Sequence, residues 1–349
     1  MILDEKRNIR DLSLEELQET FAEMQEPSFR AKQIYQWLWH KGCHSFEEMT
    51  NLSKGLREKL KSQFEFRRIQ SDIEQKSVDG TIKFRFKLHD GALIESVLIP
   101  VDKDKRYTVC VSSQVGCSLA CSFCATGKMK RMRNLSAAEI YDQVYLVNER
   151  CNEEYDHGLT NIVYMGMGEP LLTYKNVMQS ISLISSPDGM GMSSRRITIS
   201  TAGISKMIKK LADDNSKVNL ALSLHAADDE KRDKIMAINE QNDLSTLMEA
   251  LKYYYQKTKN RISYEYIAFK NFNLTNQDAD NLIALCKHFP VRINIIEYNP
   301  IDGVDFERAA QNTVDNFAAR VRRAGIMITI RRSRGRDIDA ACGQLANKG

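Results

Sequence analysis

At 349 residues, the chain is long enough for one large domain and a smaller one, and a formal net charge of +4 selects no class of partner. Hydrophobic residues make up 42% and charged residues 28%, and no apolar run approaches the roughly 20 residues that span a bilayer, so a helical membrane protein is excluded. The opening MILDEKRNIRDL has no apolar signal core, and the eight cysteines are too dilute for a disulfide framework, so a cytoplasmic location is expected.

Residues 1–65 read as a helical accessory domain. Ser13 and Glu16 have capping-box spacing, with Leu14, Leu17 and Phe21 at helical intervals behind them. Pro27 and Ser28 interrupt the pattern, and a second helix carries Ile34, Trp37 and Leu38; Trp37 and Trp39 read as core. Residues 66–105 change to β-rich runs separated by Asp79-Gly80 and Asp90-Gly91, which predict a small hairpin sheet connecting two larger parts.

Residues 106–349 alternate. Strands are expected at 107–113, 161–166, 196–200, 217–223, 262–269, 291–297 and 326–331, and helices near 137–150, 174–185, 203–213, 244–258, 276–288 and 305–323. The first of these helices opens on a second capping box, Ser136 to Glu139. Such alternation places helices outside a parallel sheet. About six repeats predict the α/β class, with a partial (β/α)6 barrel rather than a closed eight-stranded one.

Three basic clusters stand out: seven arginines between Arg320 and Arg336, then Lys128, Lys130, Arg131 and Arg133, and a third group from Lys54 to Arg68. Each could neutralise phosphates or be a solvated face. Two of them flank the chemical motifs, which favours the phosphate reading.

The sharpest motif is Cys117-Ser-Leu-Ala-Cys121-Ser-Phe-Cys124. Three thiolates so closely spaced can wrap one compact cluster, whereas structural zinc wants a fourth protein ligand. Gly166-Met-Gly168-Glu169 follows an expected strand, where glycines let a ligand approach the backbone or simply make a tight turn. Ser200 and Ser223-Leu224-His225 fall at the ends of later strands, and Asn299 falls just after another, all at one edge of the barrel. On their own, Cys110 and Cys342 read as ordinary buried cysteines, and Glu95 as an acid on a strand.

The C-x3-C-x2-C spacing resembles the hallmark of the radical S-adenosylmethionine (SAM) superfamily, in which the iron left open binds SAM. The ordered segments CVSSQVGC (110–117), CSFCATG (121–127), MGMGEPLL (165–172), RRITISTAG (195–203), LSLHA (222–226), YNP (298–300) and DIDAACGQLA (337–346) resemble the RlmN/Cfr family of RNA adenine methyltransferases, as does Phe29-Arg30-Ala31-Lys32-Gln33 in the helical front.

The resemblance implies a [4Fe-4S] cluster on Cys117, Cys121 and Cys124, and two SAM per turnover. It places Gly168 and Glu169 at the amino end of SAM, with Ser200, Ser223, Leu224, His225 and Asn299 as further contacts. It makes Cys342 the methyl carrier and Cys110 its resolving partner through a transient disulfide, with Glu95 as a proton acceptor. The implied substrates are 23S rRNA and tRNA, methylated at adenine C2, with a flavodoxin as electron donor and a monomeric enzyme. A Cfr-type C8 methyltransferase, another radical SAM enzyme and a zinc-bearing RNA-binding protein are the competing classes. Pro170 after Glu169 and the hairpin SVDGTIKF (77–84) look closer to the C2 branch.

Overall fold

The computed structural model describes residues 6–348. The first five residues, part of the opening stretch read above, lie outside them. Three helices lead: α1 (Leu14–Glu23), α2 (Phe29–Trp39) and α3 (Lys54–Gln63). The expected capping box forms, with the Glu16 N–H donating to the Ser13 hydroxyl at 3.1 Å and the Ser13 N–H to the Glu16 carboxylate at 2.8 Å. Two donors that the first helical turn leaves unpaired are thereby satisfied. Trp39 is buried. Trp37 is half-buried, with its indole N–H on Asn51 at 2.6 Å and the Lys41 ammonium 3.9 Å from its ring.

Ten strands follow in one sheet and in chain order: β1 (Gln70–Lys76), β2 (Ile82–Lys87), β3 (Leu93–Val101), β4 (Arg106–Cys110), β5 (Asn161–Tyr164), β6 (Ile197–Thr201), β7 (Asn219–Ser223), β8 (Ile262–Ala268), β9 (Val291–Glu297) and β10 (Ile328–Arg331). Strands β1 to β4 are antiparallel neighbours and β4 to β10 parallel ones. The parallel crossovers run through α4 (Ala137–Tyr155), α5 (Tyr174–Ser185), α6 (Ser205–Asp213), α7 (Asp229–Ile235) with α8 (Leu244–Thr258), α9 (Asn276–Leu285) and α10 (Gln311–Arg323). The result is the expected partial barrel of six βα units, closed off by a seventh parallel strand. Its core includes Ile162, Tyr164, Ile199, Leu220, Leu222, Tyr264 and Ile293.

Three details differ from the sequence reading. The hairpins do not stand apart as a small sheet; β3 pairs with β4 through Val97↔Cys110 and Leu98↔Val109, extending the barrel sheet. Strand β3 is buried on both faces over Ile94–Leu98, so it needs cover on each side. The helix expected from 305 begins only at Gln311, because an antiparallel bridge between Phe269 and Arg308 holds the preceding residues extended. Helix α7 was not anticipated. The turns hold as read: Gly80 and Gly91 have φ of +85° and +81°, and the Asp79 and Asp90 carboxylates accept from Thr81 and Ala92 N–H.

The basic clusters are divided by the fold. Strand β10 crosses the barrel, so Arg320, Arg322 and Arg323 sit at one end and Arg331 to Arg336 at the other. Much of the front cluster is used internally: Arg57 and Lys59 donate to the Glu47 and Met24 carbonyls, and Lys61 and Arg67 pair with Glu47 and Glu65.

The front is tied to the barrel through Arg10. Its guanidinium meets the Asp142 carboxylate of α4 in two hydrogen bonds of 2.6 and 2.7 Å, and Arg68 approaches the same carboxylate at 3.1 Å. All three side chains are nearly or fully buried. Removing one partner of such a pair strands charge in the interior. Asp142→Ala is therefore expected to cost about 3–5 kcal/mol in urea unfolding. A loss below about 1 kcal/mol would mean that water reaches the two guanidinia.

Candidate active site

The cysteine loop leaves the sheet after β4. Gly116, at φ +74°, lets the chain pass the Lys130 carbonyl, which a Cβ would meet at 2.4 Å. The CVSSQVGC segment ties the loop to its neighbours. The Ser112 hydroxyl donates to the Glu95 carbonyl at 2.6 Å and accepts from Met167 N–H at 2.9 Å. The Gln114 side chain accepts from Glu169 N–H at 2.9 Å, and its backbone N–H donates to the Met167 carbonyl. Gly168 has φ +97°, and a Cβ there would strike Gln114 at 2.5 Å. The glycines of the MGMGE turn are thus required by close packing against the cysteine segment.

All three loop cysteines are free thiols, raised above the ordinary range by burial, Cys117 to about 11. Thiolates here would also repel one another, since the charge of Cys124 bears on both Cys117 and Cys121. Backbone N–H groups answer part of that charge, at Leu119 for Cys117 and at Thr126 and Gly127 for Cys124. Among the described residues no three ligating side chains converge as a single-ion shell. Three thiols on one eight-residue stretch, with backbone N–H donors at Cys117 and Cys124, fit a cluster that takes one thiolate per iron.

Cys110 ends β4, buried, and its thiol is pushed up to about 12 by burial and then by the nearby Cys342. Cys342 is exposed, yet burial raises its thiol to about 12 as well, followed by the charges of Cys124 and Glu265. Both observations fit a side chain standing in the open mouth of the barrel with dense protein behind it. Cys342 thus lies within electrostatic reach of Cys110 and of the loop cysteine Cys124.

Its segment is strapped in place. Gly343 and Leu345 carbonyls accept from Ala125 N–H at 2.8 Å and the Thr126 hydroxyl at 2.6 Å. The Asn299 side chain donates to the Cys342 carbonyl at 3.3 Å. Glu95 is buried in β3; one carboxylate oxygen accepts from Ala346 and Asn347 N–H at 2.9 and 3.1 Å, and the other lies 3.6 Å from the Lys83 ammonium. Its contacts are those of an anchor for the Cys342 segment.

The expected SAM contacts share the strand-end edge. The Ser200 and Ser223 hydroxyls are 3.3 Å apart on β6 and β7. Leu224 and His225 follow, both with N–H on the Glu265 carbonyl. His225 holds φ +56°, a conformation uncommon outside glycine, and its Nδ1 accepts from Ile267 N–H at 3.2 Å. Burial, then the Arg232 charge, lowers His225 to about 3, so it stays neutral. Glu169 accepts from Ala202 and Leu171 N–H at 2.8 and 3.0 Å, yet burial pushes its carboxyl up to about 7.

Two residues escaped the sequence reading. Arg232 of α7 is fully buried and donates to the Ala202 carbonyl at 2.5 Å, to the Leu224 carbonyl at 3.2 Å and to Asn239. All are neutral acceptors, and the first charge to bear on it is that of Cys121. Glu265, on β8 level with Ser223, is buried beside Cys342 with one carboxylate oxygen unpartnered. Arg232 lies in a run, Asp228-Asp229-Glu230-Lys231-Arg232-Asp233-Lys234, that reads as a solvated face.

The fold and site define a radical SAM enzyme, and the radical SAM superfamily signature matches residues 111–283. The superfamily's cofactors, a [4Fe-4S] cluster and SAM, are those of this enzyme. The ribosomal RNA large subunit methyltransferase N-terminal domain matches residues 7–66. The chain is 54% identical, over 99% of its length and 98% of the relative's, to a protein of Christiangramia forsetii named probable dual-specificity RNA methyltransferase RlmN. It is 42% identical to the dual-specificity RNA methyltransferase RlmN of Campylobacter fetus, over 98% of each chain. A crystal structure of a radical SAM methyltransferase from Sphaerobacter thermophilus superposes with a TM-score of 0.92 at 38% identity, covering 98% of this chain and all of that one. The chain belongs to the RlmN family of dual-specificity RNA methyltransferases.

With Glu169 receiving the SAM ammonium, as the resemblance implies, its raised carboxyl has a signed consequence. The folded chain without ligand holds a proton here that the unfolded chain has released, so this group's contribution to stability is lost as pH rises through about 7. An incoming ammonium needs the carboxylate and drives that proton off. SAM affinity is therefore expected to rise between about pH 6 and pH 8, with proton release detectable by calorimetry. In Glu169→Gln the dependence should vanish along with most of the affinity; an unchanged slope in that variant would transfer the titration to another group.

Proposed function

We propose that the enzyme methylates C2 of adenine in 23S rRNA near the peptidyl-transferase centre, and of adenine 37 in tRNAs, through a covalent link between RNA and Cys342. The observation that carries the mechanism is the gathering of two thiols that no structural disulfide consumes: Cys342 in the barrel mouth, near both Cys110 and Cys124. The choice of C2 over C8 rests on the RlmN relatives and on Pro170 beside Glu169.

Adenine C2 is an electrophilic, amidine-type carbon and cannot displace a methyl group from SAM. Cys342 is positioned to take that methyl first, on sulfur. A cluster held by Cys117, Cys121 and Cys124 would supply the electron for cleaving a second SAM, and with it the radical needed to take hydrogen from the S-methyl group. Cys342 then presents its methylene carbon to the base and becomes joined to it. The joined base must then give up one electron, which the oxidised cluster could take back, and its C2 proton passes to the Cys110 thiolate. As the Cys110 sulfur attacks that of Cys342 and the S–CH2 bond breaks, a proton passes to the released carbon, which becomes the methyl group and leaves a Cys110–Cys342 disulfide. Asn299 and Glu95 hold the Cys342 segment across the mouth, Glu95 being also the proton acceptor implied by the resemblance. A paired base cannot enter this mouth, so the target must be extruded or already unstacked. The same reading makes the enzyme a cytoplasmic monomer reduced by a flavodoxin; no described helix is long and apolar enough to cross a membrane.

Three variants test the roles. Cys117→Ala should lose the iron and all SAM cleavage. Cys342→Ala should keep the iron and transfer no methyl. Cys110→Ala should accumulate protein–RNA adduct, seen as a slow band on denaturing gels. Nucleoside mass spectrometry of treated tRNA and rRNA should give 2-methyladenosine. A dominant 8-methyladenosine peak would overturn the C2 assignment, and full turnover by Cys110→Ala would remove it from the mechanism.

A further inference from the structure

The barrel has two ends, and the chemistry uses one. At the other, where the parallel strands begin, lies an open bowl of about 870 Å³. Arg195 precedes β6, Lys217 precedes β7, Arg261 precedes β8 and Arg292 opens β9; Lys259, at the end of α8, is the fifth cation of its wall. No acidic residue lines it. All five cations are exposed, and among the described residues none of them pairs with a carboxylate. A cavity near the mouth is different: Arg308, Arg332 and Arg336 there face Asp79, Glu297 and Asp337.

Strand geometry turns those sequence positions into a row. Neighbouring strand starts lie about 4.8 Å apart, so four in succession set cations across about 15 Å. Like charges so placed repel, and no carboxylate among the residues lining the bowl offsets them. A single small anion covers one step of such a row, whereas a phosphodiester chain covers several. The wall also offers Tyr255, with the Lys259 ammonium 5.2 Å from its ring, so cations and an aromatic face are interleaved as on single-strand nucleic-acid surfaces.

We propose that this floor is a second RNA contact, gripping the phosphate backbone of the substrate away from the target adenine. The inference rests on the reading of the chain as an RNA methyltransferase, and it assigns the bowl no part in SAM binding or radical chemistry. The floor lies a strand length, about 15–20 Å, from the mouth, a span that a folded tRNA arm or rRNA domain exceeds.

The test uses the full-length, cluster-loaded enzyme and the exposed-site triple variant Lys217→Gln, Arg261→Gln, Arg292→Gln. Binding to a tRNA transcript is measured between about 50 and 200 mM salt, where each lost phosphate contact flattens the log–log slope by about 0.7–0.9. The slope should become shallower by about 2–3, KM for RNA should rise, and kcat, iron content and RNA-free SAM cleavage should match wild type. An unchanged slope overturns the proposal, and binding of an acidic protein lost in the same variant would then reassign the bowl. Failure of the wild-type enzyme to methylate RNA would instead strike the functional reading, leaving the two failures distinguishable.

Discussion

The hold of β3 on the last residues of the chain is the constraint from which the active site follows. Cys342 reaches the barrel mouth only because the segment after it is fixed on two sides, by Glu95 at Ala346 and Asn347 and by the cysteine loop at Gly343 and Leu345. Both sides are themselves bound together, since Ser112 joins the Glu95 carbonyl to the MGMGE turn. The hairpin extension of the sheet is thus the floor against which the sulfur-bearing segment is clamped. In the proposed mechanism the Cys342 thiol meets SAM, then a base, then Cys110; that calls for a backbone held firmly on either side of a side chain left free, and this arrangement supplies both.

The same arrangement explains why Cys110 lies where it does. Pairing of β3 with β4 sets Val97 against Cys110, so the strand that clamps the tail also fixes Cys110. Burial raises both thiols. In the proposed mechanism their reactivity would then be set by what enters the mouth, a sulfonium or a base, rather than by a standing thiolate. That suits an intermediate which would be wasted by premature disulfide formation.

Much of this was legible in the sequence because it rests on local rules. Both capping boxes, both Asp-Gly turns and the alternation of strands and helices are written within a few residues of themselves, and each appears in the structure. Strand-end positions also converge without knowledge of the fold, since a parallel sheet sends every carboxyl end to one edge. What escaped depends on distant partners. The hairpins join the barrel because β3 is buried on both faces and finds β4, a pairing that no local spacing declares. Helix α7 is seven residues of mixed charge, and only the tertiary fold reveals that Arg232 is its buried face. The arginine run was read as one patch, yet a four-residue strand carries its halves to opposite ends of the barrel.

Buried charge gives the site its remaining character. Arg232 has neutral hydrogen-bond partners and lies beside Cys121, Glu169 is buried without a cation, and three thiols crowd one loop. Each is unfavourable alone, because burial penalises charge that no partner answers. In the proposed reading they are complementary to the cofactors: an iron–sulfur core would satisfy the thiolates, the anionic assembly that results would offset the guanidinium, and the SAM ammonium would satisfy Glu169. Cofactors held in this way should stabilise the folded chain by mass action as well as equip it for chemistry. Polar groups retained at such a cost mark where function, rather than packing, chose the residue.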